Sequence, residues 1–496
     1  MDDTQLSPSE SKITHLPPEL ISQVFRHLRD DPKSPSPREL NDLCNLRRSC
    51  KYFANVGAEY TIGTVLSKMS GDSTRYAMFF TQRDLERLRN LSRELSLKRL
   101  ANKVHSIFFV SWAANPNMAA EIDKYYESTL RYESGPWGPS EKNHPPIDLS
   151  PCAKEAWCQR LKDLVVEQEA LKPHMSAMLH KLLPSLPALA DFNYRCAGLG
   201  GQPGPLPSHT SLSPLCPQSA FGREKGWNKI QRPGHDVELL YVFLRAFIKR
   251  EIPLRAIYLS YLDWSFFHVK NTHGIPKILD TDLFQDLHHF ELWMNNSYSA
   301  IDPSGCKWKD ESGKHDTPGC PREIVSSGLL AEFLETMPEL RTLSIHFLGS
   351  DYTKKHLNLP APKIEWVIPL DEKWVYLNDL TIGGVLSTAD DLEDFIVKHK
   401  RTLRRLRLLH IRLVGSSVRS LLMTLLRELP RVTKFEIGGT CIGNLDEYGL
   451  PLATAPADKW PITEGMPGMK AKLAKWFVSP RLYWRGEEDY CPLDES

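Results

Sequence analysis

Cysteine and histidine side chains in one polar loop are the first residues whose types could do chemistry. Cys306, His315 and Cys320 carry thiol and imidazole groups, which are the ligands that zinc prefers in proteins. A structural zinc site needs four such ligands, and this loop offers three, at spacings that no common tetrahedral site uses. The stretch therefore predicts an ordinary loop, and we expect no metal ion and no other cofactor.

Two further groups of residues lack the geometry that catalysis requires. His288 and His289 are adjacent in a predicted strand, so their side chains would point to opposite faces. Gly200 and Gly201 lie in a proline-rich loop and not between a strand and a helix, so they would not cradle a phosphate. The sequence also contains no GxSxG, HExxH, Walker or GxGxxG motif. We expect a protein that is not an enzyme, and a phosphate-binding or hydrolytic pocket is the remote alternative.

The densest basic segment is KHKRTLRRLRLLHIRL at 398–413. Its cations could bind phosphate or an acidic partner. Leu403, Leu406 and Leu408 have the spacing of core residues, so the basic side chains would occupy the exposed positions between them. Two interpretations stay open, a solvated face and a surface for a partner.

Composition is that of an average globular chain. The 496 residues are 41% hydrophobic and 25% charged, with a net charge of +1. The length allows roughly two to four domains or one extended repeat array. The balanced charge gives no general attraction to nucleic acid or anionic membranes, so neither is an expected partner. The ten cysteines are scattered without a CxxC pair, which indicates reduced thiols.

The amino terminus and the hydropathy pattern bear on localisation. MDDTQLSPSESKITHL is polar and lacks the apolar region of a secretory signal. No segment reaches the roughly 18 uninterrupted apolar residues of a membrane span. We therefore expect the protein in the cytoplasm, the nucleus or both.

Residues 16–28, LPPELISQVFRHL, predict a short amphipathic helix that follows two prolines. RDDPKSPSPREL at 29–40 breaks it, and a second helical pattern follows at Leu43, Leu46, Cys50 and Phe53. A unit of about 40 residues is only marginally stable alone, so its apolar stripes need another surface. That surface is either the rest of the chain or a partner protein.

LPPELISQVFRHL followed by LNDLCNLRRSCKYFANVGAEYTI resembles the F-box, which begins with Leu-Pro and continues into short helices with paired apolar positions. The resemblance implies a helical unit that docks on the Skp-type adaptor of a cullin-type ubiquitin ligase. By position, the residues that would make this contact are Leu16, Pro17, Leu20, Ile21, Val24, Phe25, Leu43 and Leu46. The alternative is a helical hairpin of the main domain with its stripe buried internally.

A three-residue apolar pattern, L-x-x-L-x-L, recurs along the rest of the chain. Its eight occurrences begin at Val104, Leu189, Leu254, Leu287, Leu340, Leu377, Leu403 and Val432. With 41% apolar residues, roughly thirty matches are expected by chance, so the pattern needs support from its context. Three occurrences, LPALADFNY, MPELRTLSI and LPRVTKFEI, share a proline at the same offset, and each follows a helical pattern. Helix, proline-marked turn and strand therefore form one repeating unit.

These units are similar to irregular leucine-rich repeats of about 20 to 29 residues with insertions. We predict an α/β fold in which a small all-helical F-box-like unit precedes an irregular leucine-rich-repeat-like αβ solenoid. The predicted divisions are a disordered terminus at 1–12, the F-box-like unit at 13–60, the solenoid at 85–443 and a tail at 444–496. Insertions near 197–236 and 295–323, rich in small or polar residues, are predicted to be disordered.

If the triad residues point inward, the residues between them line the opposite, concave face. Tyr, Trp and Arg are the types that most often dominate binding energy at interfaces, which predicts client-binding roles for Tyr258, Trp293, His346, Arg405 and Arg407. The alternative is that the insertions cover Tyr258 and Trp293. The predicted function is substrate recognition for a cullin-type (SCF) ligase, with the solenoid binding an unknown client protein. The alternative function is a non-ligase interaction scaffold with a degenerate F-box.

Overall fold

A computed structural model describes about half of the chain. The described residues are 20, 23–24, 75–93, 101–102, 104–111, 151–196, 235–262, 264–268, 273–295, 308–309, 315–316, 324–348, 361–438, 440–445 and 458–461.

Nine parallel strands form the main sheet, and their order across the sheet follows their order along the chain. They are β1 Arg75–Phe79, β2 Ser106–Ser111, β3 Asp191–Cys196, β4 Ala256–Leu262, β5 His289–Asn295, β8 Thr342–Leu348, β9 Asp379–Gly383, β11 Arg405–Leu409 and β13 Lys434–Gly438. Each strand pairs in parallel with the one before it and the one after it in this series. Parallel neighbours require crossover connections, and helices supply several of them.

Eight α-helices lie among the described residues. They are α1 Gln82–Arg93, α2 Pro151–Leu171, α3 Met175–Leu182, α4 His235–Lys249, α5 Leu329–Glu335, α6 Ile364–Val367, α7 Ala389–Lys398 and α8 Val418–Glu428. Their apolar residues recur at helical spacing and are buried, as with Met175, Leu179 and Leu182 in α3. Short 3₁₀ turns at Lys172–His174, Leu183–Ser185, Trp264–Phe267, Ile275–Lys277 and Asp282–Phe284 complete the connections.

The apolar triads coincide with eight of the nine main strands. Phe290 on β5 lies opposite Leu343 on β8, and Leu292 lies opposite Ile345, so equivalent triad positions are in register. The same register continues through Leu380, Leu406 and Phe435 on the later strands. These side chains belong to one continuous hydrophobic core. The predicted α/β class and the strand positions are therefore confirmed.

A regular series of backbone hydrogen bonds joins the residues that precede successive strands. The amide of His288 donates to the carbonyl of Arg255, and the amide of Arg341 donates to the carbonyl of His288. Asn378 and then Arg404 continue the series, and these bonds are 2.8 to 2.9 Å long. The strands therefore begin at one common edge, which we call the amino edge.

A second, smaller sheet follows the last strands of the first. Its strands are β10 Leu386–Thr388, β12 Arg412–Val414, β14 Thr440–Leu445 and the antiparallel β15 Asp458–Pro461. Gly384 (φ 73°) connects β9 to β10, and His410 (φ 54°) lies at the corresponding turn between β11 and β12. A Cβ on Gly384 would lie 2.1 Å from the carbonyl oxygen of Phe347, so this turn requires glycine.

Several predicted boundaries differ from the observed elements. The main sheet begins at Arg75, before the predicted start at 85, and β14 and β15 extend into the predicted tail. Within the second predicted insertion, β6 Trp308–Lys309 and β7 His315–Asp316 pair antiparallel, which was not predicted. The first insertion lies outside the described residues except for 235–236, which begin α4. The predicted disordered terminus at 1–12 and most of the F-box-like unit also lie outside them.

Candidate functional site

The face of the main sheet opposite the triad residues is the candidate site, and we call it the polar face. Side chains alternate along a strand, so the residues between triad positions lie on this face. One row across it contains Asn193, Tyr258, Glu291, Ser344, Thr381, Arg407 and Glu436. The adjacent rows contain Trp293 beside His346, and Asp379 beside Arg405 and Lys434. The register thus places all five residues predicted to bind a client on one face.

Exposure differs along the polar face. Asn193 is buried, and its Nδ2 donates a hydrogen bond to Ser106 Oγ at 3.0 Å. Trp293, near the middle of the sheet, is half-buried, as is Tyr258. Arg405 on β11 is exposed. The accessible part of this face therefore lies toward β11 and β13, and not at β3.

Two ring pairs occupy the centre of the polar face. The rings of Tyr258 and His289 have centroids 4.6 Å apart, and those of Trp293 and His346 are stacked at 4.4 Å. Glu291 lies on the same strand as His289 and Trp293, with its Oε2 atom 3.9 Å from His289 Nε2. Packed rings of this kind hold their neighbours in fixed orientations, so the centre of the face is an ordered surface.

His346 is the most buried of the predicted client-binding residues, with 3% exposure. Its Nε2 atom lies 3.1 Å from Ser344 Oγ, and its ring covers Gly383, where an added Cβ would lie 3.0 Å from Nδ1. Burial lowers the pKa of this imidazole to about 4, with Glu291 opposing the shift. His346 is therefore neutral at physiological pH, and it acts as a packed ring and not as a cation.

His410, which follows β11, is a second neutral histidine close enough to His346 to affect its pKa. Burial, with a smaller effect of the Arg412 charge, lowers the pKa of its imidazole to about 4. In the adjoining small sheet, burial raises the pKa of the Cys441 thiol to about 11. A thiol with so high a pKa is a poor nucleophile at neutral pH, so this pair does not have the electrostatics of a catalytic dyad.

The two predicted client-binding arginines already have carboxylate neighbours on adjacent strands. Arg405 Nη1 lies 3.6 Å from Asp379 Oδ2, and Arg407 Nε lies 3.2 Å from Glu436 Oε2. These pairs are partly exposed, so they contribute at most about 1 kcal/mol each to stability. They nevertheless reduce the net charge that either arginine offers to a partner.

Cations at the amino edge of β11 and β13 have a different environment. Arg401, Arg404, Arg431 and Lys434 are all exposed. No carboxylate of the described residues forms an ion pair with any of the four. The sequence signal for two of them was the basic run at 398–413, but Arg431 and Lys434 lie outside it and were not predicted.

The predicted adaptor-binding segment is described at three positions only. Leu20, Gln23 and Val24 are helical, and all three are exposed. Leu20 is 45% exposed and Val24 is 46% exposed, and their spacing places them on one side of a helix. The other predicted positions, Leu16, Pro17, Ile21, Phe25, Leu43 and Leu46, lie outside the described residues.

The described part of the chain has neither a cluster of metal-ligating side chains nor an apolar helix of membrane-spanning length. No group of three or more His, Cys, Asp or Glu side chains there could hold a metal ion. Of the three loop residues with zinc-binding side chains, only His315 is described, and it lies in β7. No helix in the described ranges is long and apolar enough to cross a bilayer.

No protein-family model matches this sequence, and no curated protein matches it either. Two surfaces of this chain bear on its function. One is the apolar pair Leu20 and Val24, and the other is the polar face with its amino edge.

Proposed function

We propose that this protein is the substrate-recognition adaptor of a cullin-type (SCF) ubiquitin ligase. The F-box-like segment docks on the Skp-type adaptor, and the polar face of an αβ solenoid binds a client protein. The chain transfers no ubiquitin itself. It raises the effective concentration of client lysines near the charged ubiquitin carrier by holding both in one assembly.

The observation that carries the proposal is the exposure of Leu20 and Val24 within a helical stretch. Apolar side chains on one side of a helix are normally packed against the same chain. Here nearly half of each side chain remains in solvent, so covering it with a partner would contribute roughly 1 kcal/mol per residue. This arrangement supports a docking role more than an internal hairpin, in which the stripe would be covered.

The strand order supports the repeat part of the proposal. All nine main strands are parallel and follow one another in chain order, as expected when each repeat packs only on its neighbours. In such an array, each strand contributes one side chain to each row across a single face. The polar face supports client binding because it joins an ordered aromatic centre to an exposed charged end.

A binding experiment with purified Skp-type adaptor tests the ligase proposal. The double variant Leu20→Asp, Val24→Asp places charges on the apolar side and should weaken adaptor binding at least about tenfold. Gln23→Ala is the matched control, because Gln23 is exposed in the same helical stretch. Circular dichroism should show that both variants keep the α/β fold.

Failure of the intact chain to bind the adaptor would overturn the ligase proposal. The second candidate function, a non-ligase scaffold, would then stand, because the polar face does not depend on the amino-terminal segment. Equal adaptor binding by the intact chain and the double variant would also count against docking through Leu20 and Val24.

A further inference from the structure

Four exposed cations cluster where β11 and β13 begin. Arg401 and Arg404 precede β11, Arg431 precedes β13, and Lys434 is its first residue. Among the described residues, Glu428 at the end of α8 forms ion pairs with Lys400 and Arg427 and not with these four cations. The four side chains therefore form a positively charged patch, which we call the basic edge.

The basic edge is held in place by hydrogen bonds between its own members. Arg431 Nη1 donates to the carbonyl oxygen of Arg401 at 2.8 Å, and Arg404 Nη1 donates to that of Arg431 at 3.4 Å. The carbonyl oxygen of Arg404 accepts from the backbone amides of Thr433 and Lys434 at 2.8 and 3.2 Å. Both guanidinium groups are thus positioned before any partner arrives, which reduces the entropy that binding must overcome.

The four positive charges of the basic edge repel one another. Adjacent strands are about 4.8 Å apart, and two cations at about 8 Å cost roughly 0.5 kcal/mol in water. Lys434 adds to the repulsion, since it lies directly opposite Arg405 in the strand register. An anion bound at the basic edge would relieve this repulsion and gain charge-assisted hydrogen bonds from the guanidinium groups.

The surrounding charges favour a short acidic segment over a uniformly anionic polymer. Asp379, Glu436 and Glu428 lie beside neighbouring cations, namely Arg405, Arg407 and Lys400. Asp379 is in the same row as Lys434, and Glu436 is two residues after Lys434 on the same strand. These carboxylates would repel the continuous phosphate backbone of a nucleic acid or an anionic bilayer. The whole chain carries a net charge of only +1, so no wider positive field supports such a partner. A peptide with a few carboxylates can fit between these acidic neighbours.

We propose that the basic edge binds a carboxylate-rich segment of the client, formed by aspartate and glutamate side chains. The assignment of this segment to a client protein rests on the proposed function. It moves the charge recognition from Arg405 and Arg407, which have carboxylate neighbours, to Arg401, Arg404, Arg431 and Lys434. The polar face beside the basic edge then provides the remaining contact area.

The test is fluorescence anisotropy with the full chain and a labelled glutamate peptide of about eight residues, of which three are glutamates and the rest glycine or serine, and which spans roughly 26 Å when extended. The double variant Arg404→Gln, Arg431→Gln should weaken peptide binding about tenfold. The measurement is made at about 0.15 M salt, because charges more than about 8 Å from the peptide are then largely screened. A second variant, Arg401→Gln, Lys434→Gln, should weaken peptide binding similarly without removing the guanidinium bonds of Arg404 and Arg431. The matched control is Arg405→Gln, Arg407→Gln, which removes the same charge from paired positions and should have a smaller effect.

Several outcomes would overturn the acidic-segment site. Equal binding by all three double variants would show that the peptide does not use the basic edge, as would equal binding of a glutamine peptide. Tighter binding of a neutral peptide with a single phosphoserine would replace the carboxylate partner with a phosphate. Displacement of the glutamate peptide by single-stranded oligothymidine at similar concentration would favour nucleic acid.

The site and the ligase proposal can fail separately. If the intact chain binds the glutamate peptide as expected but not the Skp-type adaptor, the ligase proposal falls and the acidic-segment site remains. If it binds the adaptor but not the peptide, the site falls and the ligase proposal remains.

Discussion

The imidazole of His346 stacks on the indole of Trp293, with ring centroids 4.4 Å apart and ring planes at 28°. The two residues face each other across β5 and β8, at the centre of the polar face. Burial in this position lowers the pKa of His346 to about 4, so the stack contains a neutral ring at physiological pH. The stability of this part of the sheet should therefore depend on pH.

His346 should make the protein less stable as the pH falls from 6.5 toward 4. The pKa of His346 is about 4 in the folded state, whereas the usual value of 6.5 applies in the unfolded chain. The unfolded chain therefore binds the proton first as the pH falls. The contribution is complete above pH 6.5 and falls by roughly 3 kcal/mol once the folded state is also protonated. The free energy of unfolding, measured with urea between pH 4 and 7, should show this slope.

The control for the pH prediction is His346→Gln, which removes the titrating group. Its stability should vary less with pH over the same interval than that of the original chain. His410, with a pKa also near 4, is present in both proteins and cancels in the difference. Identical pH profiles for the two proteins would contradict the prediction.

Gly384→Ala should be strongly destabilising. The new Cβ would lie 2.1 Å from the carbonyl oxygen of Phe347, and the backbone φ is +73°. Gly415→Ala is the matched control, because φ there is +64° but nothing lies within 4 Å of the new Cβ. Strain alone should cost about 1 to 2 kcal/mol at Gly415, and the clash should add at least about 2 kcal/mol at Gly384. Equal losses in urea denaturation would show that the backbone relaxes around the clash.

Leu259→Ala and Ser260→Ala test the two faces of one strand. Leu259 is 1% exposed and belongs to the hydrophobic core, whereas Ser260 is half-buried on the polar face. Truncation of a buried leucine typically costs about 2 to 5 kcal/mol, and the serine change should cost less than about 1 kcal/mol. The free energies of unfolding of both variants provide the measurement. Similar losses would mean that the polar face is packed as tightly as the core.

Two helix caps should contribute similar amounts of stability. Thr388 Oγ1 accepts a hydrogen bond from the Asp391 amide at the start of α7, and Ser417 Oγ accepts one from the Ser420 amide at the start of α8. Replacement of Thr388 by alanine, or of Ser417 by alanine, should cost about 1 kcal/mol. Thr388→Ser keeps the accepting oxygen and should retain most of the stability in thermal unfolding. A loss equal to that of Thr388→Ala would assign the effect to the methyl group.

Much of the main sheet could be predicted from local pattern. The L-x-x-L-x-L triads identify eight of the nine strands, because alternation along a strand puts every second side chain into the core. β1 was missed since Ser73 stands where the first apolar residue of its triad would be. The small second sheet was also missed, because β10 and β12 are only three residues long and carry no recognisable period.

The charged site was less predictable than the fold. The sequence predicted that Arg405 and Arg407 lie on the strand face opposite the triads, and the register places both on that face. It could not indicate that Asp379 and Glu436 lie beside them, because these residues come from neighbouring strands. Arg431 and Lys434 join Arg401 and Arg404 only because two parallel strands begin at the same edge.

The amino-acid sequence by itself determined which residues enter the core, because burial of an apolar side chain follows from a local period that each strand and helix repeats. It also determined the α/β class and the positions of eight of the nine main strands. Only the tertiary structure decided which cations are neutralised and which remain available, because an ion pair depends on distances between residues of different strands. The same holds for His346, whose neutral state results from burial against Trp293 on the adjacent strand.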